Sequence, residues 1–231
     1  MTTRKRRPGA RKTAIVAADK DNTAIEVDGR HARRQRTEAR LFTSLEAVLR
    51  KQGVGSLGVN AIAEHSGVDK VLIYRYFGGL EGLMAEYAKR SEFWPDLDEI
   101  IGPDASILRD PDRASTAAKL LANYARALRK RPVTLDLLAW ECAHRNPLTV
   151  ALETVRERRA LELFQALSAA GFAGNADARA LSALLSAAIN YLALRSRDIK
   201  VFGGLAVQGE EAWQHIEQTM VRAFRGVLDG K

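Results

Sequence analysis

Gly67 restricts what this chain can fold into more than any other residue. It lies within "NAIAEHSGVDKVLIYRYF", Asn60 to Phe77, between two short runs whose apolar residues recur at helical spacing. Val59, Ile62 and Ala63 give the first run one apolar face, and "HSG" at 65–67 breaks it with a residue free to take a positive φ. Asp69 offers a side-chain acceptor to the open N–H groups of a following turn, which predicts a second helix from Lys70. Two helices joined so closely nearly touch, so the residue four before the glycine has to be small, and it is Ala63. In such a unit Ile62, Val68 and Ile73 face the core. The outer face then carries Lys70, Val71, Tyr74 and Arg75, which suits a phosphate-rich partner grooved deeply enough to admit a helix. The major groove of DNA meets both conditions.

The rest of the chain repeats the helical pattern and shows no convincing strand. Helical spacing begins near Arg33, continues through Leu41, Leu45, Val48 and Leu49, and stops at Gly53. After Gly79, the residues Leu80, Leu83, Met84, Tyr87 and Ala88 form another stripe. Pro95, Pro103 and Pro111 mark a junction, with Asp110 read as the cap of the next helix. Ala117, Leu120, Leu121, Tyr124, Ala125 and Leu128 line that helix, and further helices are expected from Leu135 to Arg145 and from Leu148 to Ala170. Leu181, Leu184, Leu185, Ala188, Ile189 and Leu192 mark the next, and Trp213, Ile216, Met220, Ala223, Phe224 and Val227 the last. The expected fold class is all-α: a flexible basic arm at 1–30, a helix-turn-helix DNA-binding domain with its connecting helix at 31–92, and a second helical domain at 93–231.

Charge is distributed in the same sense. Up to Glu92 there are 18 Lys and Arg against 11 Asp and Glu, and beyond it 18 against 17, so the basic excess belongs to the first part. It is clumped at Arg4, Lys5, Arg6, Arg7, Arg11 and Lys12, then at Arg30, Arg33, Arg34, Arg36 and Arg40, as a polyanion partner would require. No apolar run approaches the roughly 20 residues of a membrane span. The charged amino terminus lacks the apolar stretch of a secretory signal, and one cysteine, Cys142, suits a reducing cytoplasm. The expected location is cytoplasmic.

With these residues in view, "NAIAEHSGVDKVLIYRYFGGLEGL" resembles the DNA-binding signature of the tetracycline-repressor (TetR) family of bacterial regulators, specifically from Arg33 to about Tyr87. The resemblance implies a homodimer on double-stranded operator DNA, with three small helices for DNA, a connecting helix and a helical domain for an unidentified small-molecule effector. It places Lys70, Val71 and Leu72 where the family meets bases, and Tyr74 and Tyr76 where it meets phosphate or adjacent bases. Arg75, Asn60 and Arg34 complete the candidate DNA contacts. The chain departs from the pattern in three places. Leu57 and Gly58 replace the usual hydroxyl cap of the second helix, Leu80 replaces a lysine after the "YF" turn, and Val71 with Leu72 stand where small or hydroxyl residues are usual. Apolar side chains there favour thymine-methyl contacts.

Polar and aromatic residues that interrupt the later helices, Tyr124, Trp140, Glu141, His144, Asn190 and Tyr191, are the candidate ligand site. The dimer interface is expected, on the family resemblance, from the last two long helices. Ser182, Ala183, Ser186 and Ala187 would allow close approach, with Trp213, Met220 and Phe224 supplying bulk. No metal, cofactor or catalytic residue is assigned. Cys142 and His144 diverge on a helix, the remaining histidines are isolated, and Glu141 with Arg145 reads as an i,i+4 ion pair. "FGG" at Phe77 and Phe202 follows no strand, so neither reads as a phosphate loop. The function expected is a sequence-specific, ligand-released transcriptional repressor. A ligand-independent DNA-organising protein is the alternative, and a helical enzyme with a basic tail a weaker one.

Overall fold

The computed structural model describes residues 13–90, 93–172 and 175–228. Ten α-helices and one short hairpin occur among them, in agreement with the all-α expectation.

Helix α1 spans Thr13–Gln52, so it starts well before Arg33 and takes in residues assigned from sequence to the flexible arm. The correction has a simple cause. Ala14, Ala17, Ala18 and Ala24 favour helix, and neither glycine nor proline interrupts the chain between Thr13 and Asp28. The first basic clump, Arg4 to Lys12, lies outside the described residues. Leu41, Leu45, Val48 and Leu49 are buried on one face of α1, and Gly53 ends it with φ 75°.

Helix α2 (Val59–Ser66) stops at Gly67, whose φ of 62° and ψ of 25° are left-handed. Asp69 accepts a hydrogen bond from the Val71 N–H at 2.9 Å and so caps α3 (Lys70–Phe77). Ile62, Val68 and Ile73 are buried, as the turn geometry requires. Arg40 of α1 clamps this turn by donating from Nη2 to the Ser66 carbonyl at 2.6 Å, so one cation of the second basic clump is structural. Gly78 and Gly79, with φ 76° and 128°, turn the chain into α4 (Leu80–Ala88).

The proline-containing stretch is not a loose junction. Phe93, Trp94, Ile100 and Ile101 are buried, and α5 (Leu97–Ile101) has a reciprocal capping box between Asp96 and Glu99. Asp112, not Asp110, caps α6 (Arg113–Arg129) by accepting from the Ser115 N–H. Helix α7 (Pro132–Ala143) carries proline at its first turn, and Asn146 with Thr149 forms the capping box of α8 (Pro147–Ala169). Asn175 caps α9 (Ala176–Arg195), and α10 (Glu210–Leu228) closes the fold.

Helix α6 is the central element and packs against α5, α7, α9 and α10, while α4 packs on α8. Between α9 and α10 the two strands β1 (Val201–Phe202) and β2 (Leu205–Ala206) pair antiparallel, a hairpin that periodicity missed because two-residue strands have none. Gly203 and Gly204 form its turn with φ 57° and 82°. Both "FGG" segments are therefore reversals built on consecutive left-handed glycines.

Candidate functional site

Two surfaces stand out in the structure: the outer face of α3, and a cavity between α6, α8 and α9. On α3, the burial of Ile73 fixes the helix rotation, so Lys70, Val71, Tyr74 and Arg75 face solvent together. Val71 is 61% and Tyr74 56% exposed, high for an apolar and an aromatic residue. Leu72 corrects the sequence expectation, because it is partly buried against the core and does not share that face. Tyr76 is half-buried and edge-on to Phe77, with the Arg34 guanidinium 5.0 Å above its ring. Arg34 also pairs with Glu38 at 2.7 Å, and hydrogen bonding to that carboxylate raises its already high pKa. It is thus a fixed cation beside Tyr76. Asn60 is exposed in the first turn of α2, where Gly58 gives no side-chain cap and open backbone N–H groups favour an anion.

The cavity arises because two helices leave the core. Helix α8 buries Leu148, Thr149, Leu152 and Val155 in its first half and no residue fully thereafter, and α9 buries only Ile189 and Ala193. Their unburied halves stand apart over α6 and enclose about 420 Å³, walled by Trp94, Leu120, Leu121, Leu163 and Phe164. A second space of about 450 Å³ adjoins it, sharing Ala117, Phe164, Leu167, Arg179 and Ser182 and reaching Arg113 and Phe172. These are the dimensions and the apolar lining of a small-molecule site.

At one end the Tyr124 hydroxyl donates to Asn190 Oδ1 at 2.5 Å, and burial pushes its pKa up, so it stays a neutral donor. Two of the sequence-expected ligand residues, Tyr124 and Asn190, thus meet in the cavity. The other four do not line it. Trp140 borders a groove between the α3–α4 turn and the α7–α8 turn, with the His144 ring stacked on it at 4.9 Å. Tyr191 is exposed and meets Phe202 edge-on. Glu141 acts indirectly: it holds Arg156, a cavity residue, by two hydrogen bonds of 2.7 and 2.8 Å, which raise the arginine pKa further. Its expected partner, Arg145, pairs instead with Glu153.

The dimer expectation also changes. Trp213, Met220 and Phe224 are buried within the protomer, and the Trp213 indole N–H donates to the Val207 carbonyl. Their bulk fills the α6–α10 contact and is not available to a partner. Ser182, Ala183, Ser186 and Ala187 line the cavity, where their small size creates space. Sequence reasoning missed Arg113, Arg156 and Arg179, since nothing in helical periodicity marks residues that converge from separate helices.

The turn geometry, the exposed α3 face and the all-helical frame can now be set beside known proteins. Residues 43–87 match the family model described as bacterial regulatory proteins, tetR family. The chain carries a tetR-family DNA-binding domain. The matched segment of that tetR-family domain runs from the last quarter of α1 into α4 and contains the whole helix-turn-helix. One relative, the HTH-type transcriptional regulator BetI 2 of Chromohalobacter salexigens, is 30% identical over 121 residues, covering 52% of this chain and 58% of the relative. The chain thus spans little more than half the length of that relative. Among solved structures, a TetR-like transcriptional regulator from Rhodococcus sp. RHA1 aligns with 84% of this chain and 97% of its own, at 18% identity and TM-score 0.53. The fatty acid degradation regulator FadR from Bacillus halodurans aligns over 82% and 95%, at 14% identity and TM-score 0.56. At such identities the likeness is one of fold.

Proposed function

We propose that this protein is a dimeric, sequence-specific DNA-binding transcriptional repressor, released from its operator by a small molecule held between α6, α8 and α9. The observation that carries the reading is the outer face of α3, where Lys70, Val71, Tyr74 and Arg75 stand exposed on a helix fixed by the Gly67 turn. Lys70 and Arg75 supply cations for phosphate or guanine, and Val71 an apolar surface for a thymine methyl. The tetR-family match over the same residues supports it.

Coupling has a physical route. Phe77, the last residue of α3, meets Phe42 at 5.8 Å, and Phe42 meets Tyr87 at 6.1 Å. The chain of rings continues through Phe93 at 5.6 Å, Trp94 at 6.4 Å and Tyr124 at 5.9 Å, and the last two line the cavity. A ligand that displaces Trp94 or Tyr124 would shift α1 and α3 only by binding one arrangement better than the other.

The dimer would form on α9, whose outward face presents Leu184, 70% exposed, and Tyr191, 48% exposed, one heptad apart and beside Phe202. An interface between second copies of the chain would cover these residues.

Gel-shift titration against the native operator tests the DNA reading. Lys70→Ala and Tyr74→Phe should each weaken binding by about 1–3 kcal/mol while leaving the circular dichroism spectrum unchanged. Unaltered affinity in both would remove α3 from the groove.

A further inference from the structure

The cavity read above as the effector site holds more positive charge than its own carboxylates balance, and that excess identifies the ligand class. Arg156 is matched by Glu141 and faces Glu157, and Arg159 is matched by Glu162 at 2.9 Å. Arg113 and Arg179 are different. Among the described residues neither has a carboxylate within ion-pair distance, and both lie over aromatic rings, Arg113 at 4.0 Å from Phe172 and Arg179 at 5.6 Å from Phe164. Arg113 Nη1 is buried and has no hydrogen-bond acceptor. A ring face favours a guanidinium but accepts no directed hydrogen bond, so this donor carries an unmet desolvation cost.

Both arginines line one end of the joined cavity, together with Ser182, whose hydroxyl donates to the Ala178 carbonyl. The opposite end is walled by Trp94, Leu120 and Leu121 and closes on the Tyr124–Asn190 pair, and the one guanidinium there, Arg156 at 6.0 Å from the Trp94 ring, is neutralised by Glu141. We infer that the effector is an amphipathic organic anion, its acidic head between Arg113 and Arg179 and its apolar chain directed toward Trp94 and Tyr124. The inference rests on the reading of this cavity as the effector site. A head with two or three oxygens can accept from both guanidiniums and satisfy Arg113 Nη1, which a neutral alcohol does only in part and a cation opposes. The chain removes apolar lining from water, so affinity should rise with length until the space is full.

Isothermal titration calorimetry of the full chain with decanoate, decyl phosphate, decanol and decyltrimethylammonium tests it. Decanoate or decyl phosphate should bind at least about tenfold more tightly than decanol, as expected for charge-assisted over neutral hydrogen bonds, and the ammonium compound more weakly still. The tighter of the two anions distinguishes a carboxylate from a phosphate source. R113Q/R179Q should abolish the preference for anion over decanol, while R113K/R179K, which keeps the charges, should retain part of it. Circular dichroism and ligand-free operator binding confirm that both double variants are folded. Decanol binding as tightly as the anions, or an anion preference surviving R113Q/R179Q, would overturn the inference. Decanol binding that Ala117→Trp blocks would then leave the cavity itself as the effector site. Binding of none of the four would overturn both.

Discussion

Gly82 shows how one missing side chain decides the arrangement of the tetR-family domain. A β-carbon built there would lie 1.7 Å from the Phe77 carbonyl oxygen and 2.8 Å from its carbon, both backbone atoms that cannot rotate away. The first turn of α4 therefore rests directly on the end of α3, and only glycine permits it. Gly82→Ala should lower stability by about 2 kcal/mol or more, through forced displacement of α3, and should also weaken operator binding. Gly55→Ala is the control, because nothing lies within 4 Å of its β-carbon position. Equal melting temperatures for the two variants would show that the α3–α4 contact relaxes freely. Arg40 makes the same point from the opposite direction, since a cation of the second basic clump is engaged by the Ser66 carbonyl.

At the scale of elements, caps and ion pairs tie the second-domain helices to one another. Asp112 accepts from the Ser115 N–H at the start of α6 and from Arg225 Nη2 of α10 at 2.7 Å, and these bonds, the backbone one foremost, hold its pKa below the ordinary carboxylate value. A carboxylate depressed on folding contributes stability that is present above its unfolded pKa, about 3.9, and lost as pH falls through the lower folded value. Asp112→Asn keeps a cap but removes the charge facing Arg225. The variant should melt below the wild type at neutral pH, with the difference shrinking as pH drops below 4. A gap that stayed constant with pH would assign the loss to the cap and not to the ion pair. Helix α9 behaves otherwise. Ser182, Ala183, Ser186 and Ala187 mark a cavity wall, while Leu184 and Tyr191 stand exposed and the other large apolar residues of α9 pack on the core.

Across the whole molecule, one contiguous set of buried apolar residues runs from Leu41 in α1 to Phe224 in α10, and it passes through Phe93 and Trp94. The tetR-family domain and the helical domain therefore share a core, which gives a ligand in the cavity something rigid to push against. The proposed partner surface is the neighbouring exposed face of α9 that carries Leu184 and Tyr191. Leu184→Glu should halve the solution mass measured by light scattering without changing helix content, because a buried unpaired carboxylate at an interface costs several kcal/mol. A mass unchanged by this substitution would place the interface away from α9. Phe224→Glu should behave differently and unfold the protomer, since Phe224 is only 1% exposed within it.

The sequence by itself determined the elements and the DNA-binding turn. Gly67, Asp69, Ile62, Val68 and Ile73 act over a few residues, where positive φ, capping and helical spacing leave one arrangement, and the structure has it. The later helices were legible from periodicity to within a few residues at their ends, with α5 and the cap of α6 missed. Periodicity, however, tells only that a residue is apolar on one face, not which neighbour receives that face. Trp213, Met220 and Phe224 could have served a partner or their own α6, and only packing assigned them to α6. Trp140, His144 and Tyr191 shared the polar and aromatic character of Tyr124 and Asn190, yet no residue of α7 reaches the cavity and Tyr191 stands on the exposed side of α9. Arg113, Arg156 and Arg179 reach the joined cavity from α6, α8 and α9, separations over which local patterning carries no signal; tertiary structure decided that they line it, because a cavity is defined by what three helices leave unfilled.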